Sequence, residues 1–392
     1  MPTSSPSRRR FVRQSAALAL GGLAAPLLPA CGGGGVAERA QRGVPADSTD
    51  ARAASRGQGE RPVGVAILGL GGYAEGQIAP ALKLTEHCRL AGLITGTPAK
   101  LPGWQRAYGV DAAHCYTYDE LERVADDDAI DVVYVITPTS THRGFVERAA
   151  AAGKHVWCEK PMALTRADCQ AMIDACARAG VQLAIGYRML HEPNTRDFIA
   201  YCAGRPLGPL AAASSDAGYA GSAPPADYWR GQASMGGGAL YDMGVYTVNG
   251  LRYATGLLPE AVVAAARERQ ERPDGVDLTT RYTLRFPGGV LAEARTSVVE
   301  EYNRLRATFR DGWAMMRPMQ PYRGVRGETS TGVTFAPSVP NQQSLQMDAD
   351  ALAIRRGEAP RAPGSEGLID VAIIEAVLAS AASGEPTPLT WG

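Results

Sequence analysis

The chain has 392 residues, with 40 Lys+Arg against 40 Asp+Glu and a formal net charge of zero. That length suits two domains and a sizeable core. The balanced charge leaves no basic stripe to suggest nucleic acid, and no polybasic segment follows the first 31 residues.

Residues 1–31 read as an export signal. The stretch SRRRFVRQS, with Arg8–Arg10, precedes an apolar run from Ala16 to Leu28 that is too short to span a bilayer, so no transmembrane helix is expected. The pattern is that of twin-arginine export, a route for folded proteins that often carry a cofactor. It places the protein in the periplasm or outside the cell, served by the twin-arginine machinery. Leu28-Pro29-Ala30-Cys31 leaves two readings open: lipid attachment at Cys31, or ordinary cleavage nearby. Residues 32–61, rich in Gly, Ala, Ser, Arg and Asp, read as an arm or linker.

Regular pattern then begins. Val63–Leu68 is an apolar strand running into a glycine turn and a helical segment, and Arg89–Ile94 is a second strand. DVVYVITP is a buried strand ended by Pro138, and THRGFVERAAAAGK is a helix stopped at Gly153. HVWCEKP is a strand stopped by Pro161. TRADCQAMIDACARAG is a helix capped by Thr165 and ended at Gly180, and VQLAIGY is a further strand. Strands alternating with helices predict a doubly wound parallel sheet over 62–186. From 187 to 392 the pattern changes to a glycine-rich turn and helix, GGGALYDMGVYTVNGLRYATG. Five strand-like runs follow, read as an antiparallel meander, and two helices close the chain. The expected fold is α/β: a Rossmann domain followed by an α+β domain with a mostly antiparallel open sheet. The seven cysteines and five histidines show no metal-ligand spacing.

Gly69-Leu70-Gly71-Gly72-Tyr73-Ala74 fits GxGxxG/A between a strand and a helix. Its first glycine permits the tight turn, the second a close approach to a pyrophosphate, and the small third position close packing. After the second strand, where an NAD site carries an acid, the chain reads Thr95-Gly96-Thr97-Pro98-Ala99-Lys100. A 2′-phosphate is tolerated there and Lys100 can pair with it, which favours NADP. The other reading leaves Thr97 as a helix cap and Lys100 solvated. Of the 40 basic residues only Lys83, Lys100, Lys154 and Lys160 are lysines. Lys160, in CEKPM, lies where a strand of the parallel sheet ends, the edge at which such sheets bind ligands. A lysine kept in so arginine-rich a chain points to chemistry that needs a compact, tunable charge.

GLGGYA, ITPTSTH, AGKHVWCEKPMALT and IGYR, in this spacing, resemble the Gfo/Idh/MocA oxidoreductases. GGGALYDMGVYTVNGLRY, VPNQQSLQMDADAL and the closing EPTPLTWG extend the resemblance toward the glucose–fructose oxidoreductase and exported aldose oxidoreductase branch, over residues 62–392. The resemblance implies a catalytic set of Lys160, Tyr246 and Asp242, the last two sharing one helical face four residues apart. It implies cofactor contacts at Gly69, Gly71, Gly72, Tyr73, Ala74, Thr95, Lys100, Thr137, Pro138, His142, Glu159 and Lys160. Tyr187, Trp229 and Arg230 would line the sugar pocket with Asp242 and Tyr246. The Lys160–Pro161 peptide would be cis. The expected activity is NADP-dependent oxidation of an aldose to its lactone, with reduction of a second sugar carbonyl. Because no cofactor pool exists after export, the NADP would be held without dissociating and the kinetics would be ping-pong. The expected partners are sugars and further copies of the chain, as a homodimer or homotetramer. Two other readings of the same fold stay open: an NAD-assisted glycosidase and a non-catalytic sugar sensor.

Overall fold

The computed structural model describes residues 61–337 and 341–391. The export signal, Cys31 and the arm up to residue 60 lie outside the described residues.

Six strands form the first sheet: β1 (Val63–Leu68), β2 (Cys88–Thr95), β3 (Cys115–Thr117), β4 (Val132–Val135), β5 (His155–Cys158) and β6 (Leu183–Ile185). All are parallel, in the order β3-β2-β1-β4-β5-β6. Every residue of β1 and β4 is buried, as expected for strands covered on both faces. The register aligns their carboxyl ends. Leu68 pairs with Ile94 and with Val135, Val135 with Cys158, and Cys158 with Ile185. The next residues of four strands therefore emerge side by side: Gly69, Ile136, Glu159 and Gly186. Chain order reverses between β1 and β4, which makes this edge the topological switch point where open α/β sheets bind ligands.

The helices of this half are α1 (Ala79–Leu82, entered through a π turn at Ala74–Ile78), α2 (Leu101–Tyr108), α3 (His142–Ala151) and α4 (Arg166–Ala179). The Thr165 side chain accepts the Asp168 N–H, and Gly180 closes α4 at φ 67°. The second half contributes α5 (Pro193–Gly204), α6 (Ala239–Asp242), α7 (Gly244–Thr255), α8 (Gln342–Arg356) and α9 (Gly364–Ser383). Although far along the chain, α8 buries Met347 and Ala351 in the core beneath β1, with Val65, Ile67 and Trp157.

The second sheet has nine strands. They are β7 (Leu210–Gly218), β8 (Ala261–Arg269), β9 (Asp277–Phe286), β10 (Val290–Ser297), β11 (Tyr302–Phe309), β12 (Gly312–Met316), β13 (Gly327–Thr329), β14 (Thr334–Phe335) and β15 (Thr387–Pro388). The order is β14-β13-β12-β11-β7-β10-β9-β8-β15. The expected meander is corrected in one respect: β7 inserts between β11 and β10 and runs parallel to β10. Its sequence, LAAASSDAG, lacks the β-branched and aromatic residues that mark strands, so packing rather than propensity makes it one. α7 covers β7, β10 and β11, and α9 covers β8. Leu240, Val248 and Leu251 meet Leu284, Phe286, Ile373 and Val377 in their shared core. At its start α7 reaches the first sheet's core, where Val245 is buried and Tyr246 packs. That contact brings the catalytic candidates of the second half to the switch-point edge of the first.

Candidate functional site

The glycine loop is built as its sequence requires. Gly69 has φ +104°, and a Cβ there would lie 2.2 Å from the Ile136 carbonyl oxygen, so no other residue fits. Gly71 and Gly72 are exposed, with open space where a Cβ would stand. Ala74 is buried and opens the helical segment, and Tyr73 turns its ring toward Tyr322, 6.2 Å between centroids. At the end of β2, Thr95 is buried and accepts the Thr97 N–H at 3.1 Å. Lys100 reaches back to the loop and donates to the Leu70 carbonyl at 2.8 Å. A dinucleotide lying on this loop would therefore meet a hydroxyl and an ammonium at the end of β2, with no carboxylate in the stretch from Thr95 to Lys100.

The loops after β4 and β5 are tied together by His142. Its Nε2 lies 2.8 Å from the Thr137 carbonyl oxygen, and its Nδ1 lies 3.1 Å from that of Pro161 and 3.2 Å from that of Met162. Burial lowers the pKa of this imidazole. Thr141 Oγ1 stands 2.8 Å from both Thr137 Oγ1 and the Pro138 oxygen, fixing the same turn. His142 thus acts on the site by bracing the Lys160–Pro161 turn, whose peptide is cis. Glu159 points inward. Its carboxylate accepts from the Tyr134 hydroxyl at 2.7 Å and from the Lys160 N–H at 3.2 Å. Burial raises its pKa, opposed by the Tyr134 hydrogen bond and the Lys160 charge.

Lys160 meets the second half of the chain. Its Nζ donates to the main-chain oxygen of Asp242 at 2.9 Å, lies 3.7 Å from Asp242 Oδ1, and stands 4.7 Å from the centre of the Tyr246 ring. Burial opposes the ammonium charge, but Tyr246, Asp242 and Glu159 together hold its pKa above the usual lysine value. Asp242 Oδ2 accepts from Arg230 Nε at 3.4 Å and from the Tyr219 hydroxyl at 3.3 Å. Arg230 lies over the Trp229 ring at 4.4 Å, so Trp229 supports Arg230 beside Asp242.

Two expectations are corrected here. Asp242 and Tyr246 do not share one continuous helix. α6 ends at Asp242, Met243 has φ −108°, and the Tyr246 N–H bonds to the Met243 oxygen three residues back. Gly244 lies close against Leu240 at this break, where a Cβ would stand 2.9 Å from Cδ1. The break turns the Asp242 carbonyl toward Lys160. Tyr187, expected in the pocket, is buried in the first sheet's core, and its hydroxyl faces Asp370 and Arg252. Its neighbour Arg188 is the member of IGYR that reaches the site. Arg188 Nη2 donates to the Tyr246 hydroxyl at 3.4 Å, and the guanidinium carbon lies 5.2 Å from the Tyr246 ring centre.

Burial pushes the Tyr246 phenol up, but the charges of Arg188 and Lys160 and the Arg188 hydrogen bond hold it below the ordinary tyrosine value. The neighbouring phenols go the other way. Burial raises Tyr73 and Tyr219, and it raises Tyr322 to about 12. Tyr246 is thus the phenol of this cluster whose surroundings favour giving up its proton. Among the described residues no group of three His, Cys, Asp or Glu is arranged to hold a metal ion. No helix among them is long and apolar enough to cross a membrane.

Residues 63–187 match the model of an oxidoreductase family with an NAD-binding Rossmann fold, and residues 203–314 match the GFO/IDH/MocA C-terminal domain. The chain belongs to the Gfo/Idh/MocA oxidoreductase family. Within the family, a solved structure of aldose-aldose oxidoreductase from Caulobacter crescentus is 38% identical, with a TM-score of 0.80 over 84% of this chain and 100% of that one. A D-xylose 1-dehydrogenase [NADP(+)] of Haloarcula marismortui is 30% identical over 61% of this chain and 67% of its own length. D-xylose 1-dehydrogenase (NADP(+)) 2 of Haloferax volcanii is 27% identical over 82% of this chain and 98% of its own.

Three residues that the geometry brings to the site, Arg188, Tyr219 and Tyr322, were not singled out in the sequence. Arg188 stood inside the quoted IGYR, but one arginine does not stand out in a chain so rich in them. Tyr219 and Tyr322 lie in irregular segments, where nothing local marks them.

Proposed function

We propose that the protein is an NADP-dependent oxidoreductase of sugars that oxidises an aldose to its lactone and reduces a second sugar carbonyl on one retained cofactor. The observation that carries this reading is the single phenol, Tyr246, set between two cations beside Asp242 at the switch-point edge. The acid-free end of β2, with Thr95 and Lys100, supports NADP over NAD, and the two NADP-linked D-xylose dehydrogenases among the relatives agree with it.

Bound NADP supplies the hydride acceptor for the first sugar and, once reduced, the donor for the second. Gly71 and Gly72 would allow its pyrophosphate close to the backbone, and Thr95 and Lys100 would hold the 2′-phosphate. Tyr246, as phenolate, takes the proton from the sugar hydroxyl as that carbon is oxidised. Lys160 and Arg188 stabilise the negative phenol oxygen. Asp242, steadied by Arg230 and Tyr219, accepts hydrogen bonds from the sugar and orients it. In the second half-reaction Tyr246, now protonated, returns its proton to the carbonyl oxygen as it becomes a hydroxyl, so protons balance over the cycle. Homodimeric or homotetrameric assembly, which the family resemblance implies, and twin-arginine export to the periplasm, which the SRRRFVRQS stretch supports, belong to the same proposal.

The test is a pair of half-reactions on protein purified without added cofactor. Aldose alone should reduce the retained nicotinamide once, seen at 340 nm, and a second carbonyl sugar should then bleach it. Continuous turnover that requires added NAD or NADP would contradict the retained-cofactor cycle.

A further inference from the structure

Arg188 is the strongest unassigned feature of the molecule, and it bears on the acid/base reading above, on which the inference rests. It lies three residues beyond the end of β6, is 3% exposed, and spends its fork on three elements. Nη1 donates to the Gln342 side chain at the start of α8 and to the Pro321 carbonyl at 3.3 Å. Nη2 donates to the Gln320 carbonyl as well as to the Tyr246 hydroxyl. The segment carrying Gln320 is itself held by Asn303 of β11, whose Oδ1 accepts the N–H groups of Met319 at 2.7 Å and Gln320 at 2.9 Å. The guanidinium also lies 4.8 Å from the Tyr322 ring centre. A buried cation so held has one ionisable group at the tip of its fork, the Tyr246 oxygen.

We propose that Arg188 is a positioning residue for the Tyr246 acid/base, fixing its hydroxyl toward the substrate side and stabilising negative charge on its oxygen jointly with Lys160. The other titratable groups around Tyr246 come from several elements. Lys160 and Glu159 come from the turn after β5, Tyr73 from the glycine loop, Tyr322 from the segment after β12, and Asp242 acts through Lys160. Glu159 opposes ionisation and already has Tyr134 as a partner, so the favourable charges are the two cations. Lysine cannot replace arginine here, because the planar fork reaches Tyr246, the 320–321 carbonyls and Gln342 at once.

The test is tyrosinate titration at 295 nm of wild type, Tyr246→Phe, Arg188→Gln and Arg188→Lys, with turnover and cofactor content measured alongside. The Tyr246 transition is the difference between wild type and Tyr246→Phe. In Arg188→Gln it should move upward by about two pH units, the size expected of a unit charge near 5 Å at an effective dielectric near 20. Turnover at pH 7 should fall about 10-fold or more and recover as pH rises, with sugar KM and bound cofactor unchanged. In the Tyr246→Phe background Arg188→Gln should cost nothing further. Arg188→Lys, which keeps the charge and loses the fork, should shift the transition by less, and it carries the test if Arg188→Gln does not fold. An unmoved Tyr246 transition in the variants that fold, or fully additive losses, would overturn the proposal. Near-normal turnover of Tyr246→Phe would instead overturn the acid/base reading, and the titration would still report on Arg188.

Discussion

Lys160 Nζ hydrogen-bonds the main-chain oxygen of Asp242 at 2.9 Å and sits 4.7 Å from the Tyr246 ring centre, joining the end of β5 to the break between α6 and α7. Because that bond uses the carbonyl, the Asp242 carboxylate stays available to Arg230, Tyr219 and a substrate hydroxyl. Lys160→Met should therefore impair both proton transfer and alignment. Turnover should fall by roughly 10²–10⁴, with the Tyr246 transition displaced upward. Steady-state kinetics and the 295 nm titration check both halves.

Tyr246→Phe removes the proton acceptor and leaves the ring that Lys160 and Arg188 face. Turnover should drop by roughly 10²–10⁴ while the protein keeps its fold and its cofactor. In wild type, aldose oxidation should rise with pH through the Tyr246 transition, below the ordinary tyrosine range, and that limb should vanish in the variant. A pH–rate series on both proteins measures it.

Much of this site was legible in the chain. The glycine loop announced itself because only glycine suits the backbone after β1, and Lys160 because lysines are so few. Helices α3 and α4 fell where their Thr, Gly and apolar periodicity placed them. What escaped depended on distant contacts. β7 is a strand only because β10 and β11 flank it, and its own small residues do not say so. The rotation that sends Arg188 rather than Tyr187 into the site follows Gly186, where a Cβ would stand 2.7 Å from a Glu159 oxygen. The pause at Met243 between two helical turns has no local signature beyond Gly244. The return of α8 to the first sheet joins residues nearly 300 positions apart, such as Val65 and Met347, a pairing that no local pattern carries.

Lys100 sets the cofactor preference in this account. Lys100→Ala should weaken NADP binding by about 10- to 100-fold, the range of one charge-assisted hydrogen bond, and leave NAD binding unchanged. Calorimetry on protein stripped of cofactor and refolded compares the two dinucleotides.

Asp350 on α8 is buried, with neither carboxylate oxygen partnered among the described residues. Burial raises its pKa to about 8, partly opposed by Arg361. The folded value lies above the unfolded one near 4, so the native chain binds the extra proton. The stability this contributes is complete below about pH 4 and is lost as pH rises through about 8. Asp350→Asn should raise Tm by about 5 °C or more at pH 8.5 and change it little at pH 4. Thermal melts of both proteins across that range check the sign.

The proposed cycle keeps one NADP on the chain while Tyr246 serves two sugar half-reactions. Mass analysis of the nucleotide released on denaturing the purified protein tests it most directly. Close to one NADP or NADPH per chain should remain after extensive gel filtration. Empty protein, or protein carrying NAD in its place, would contradict it.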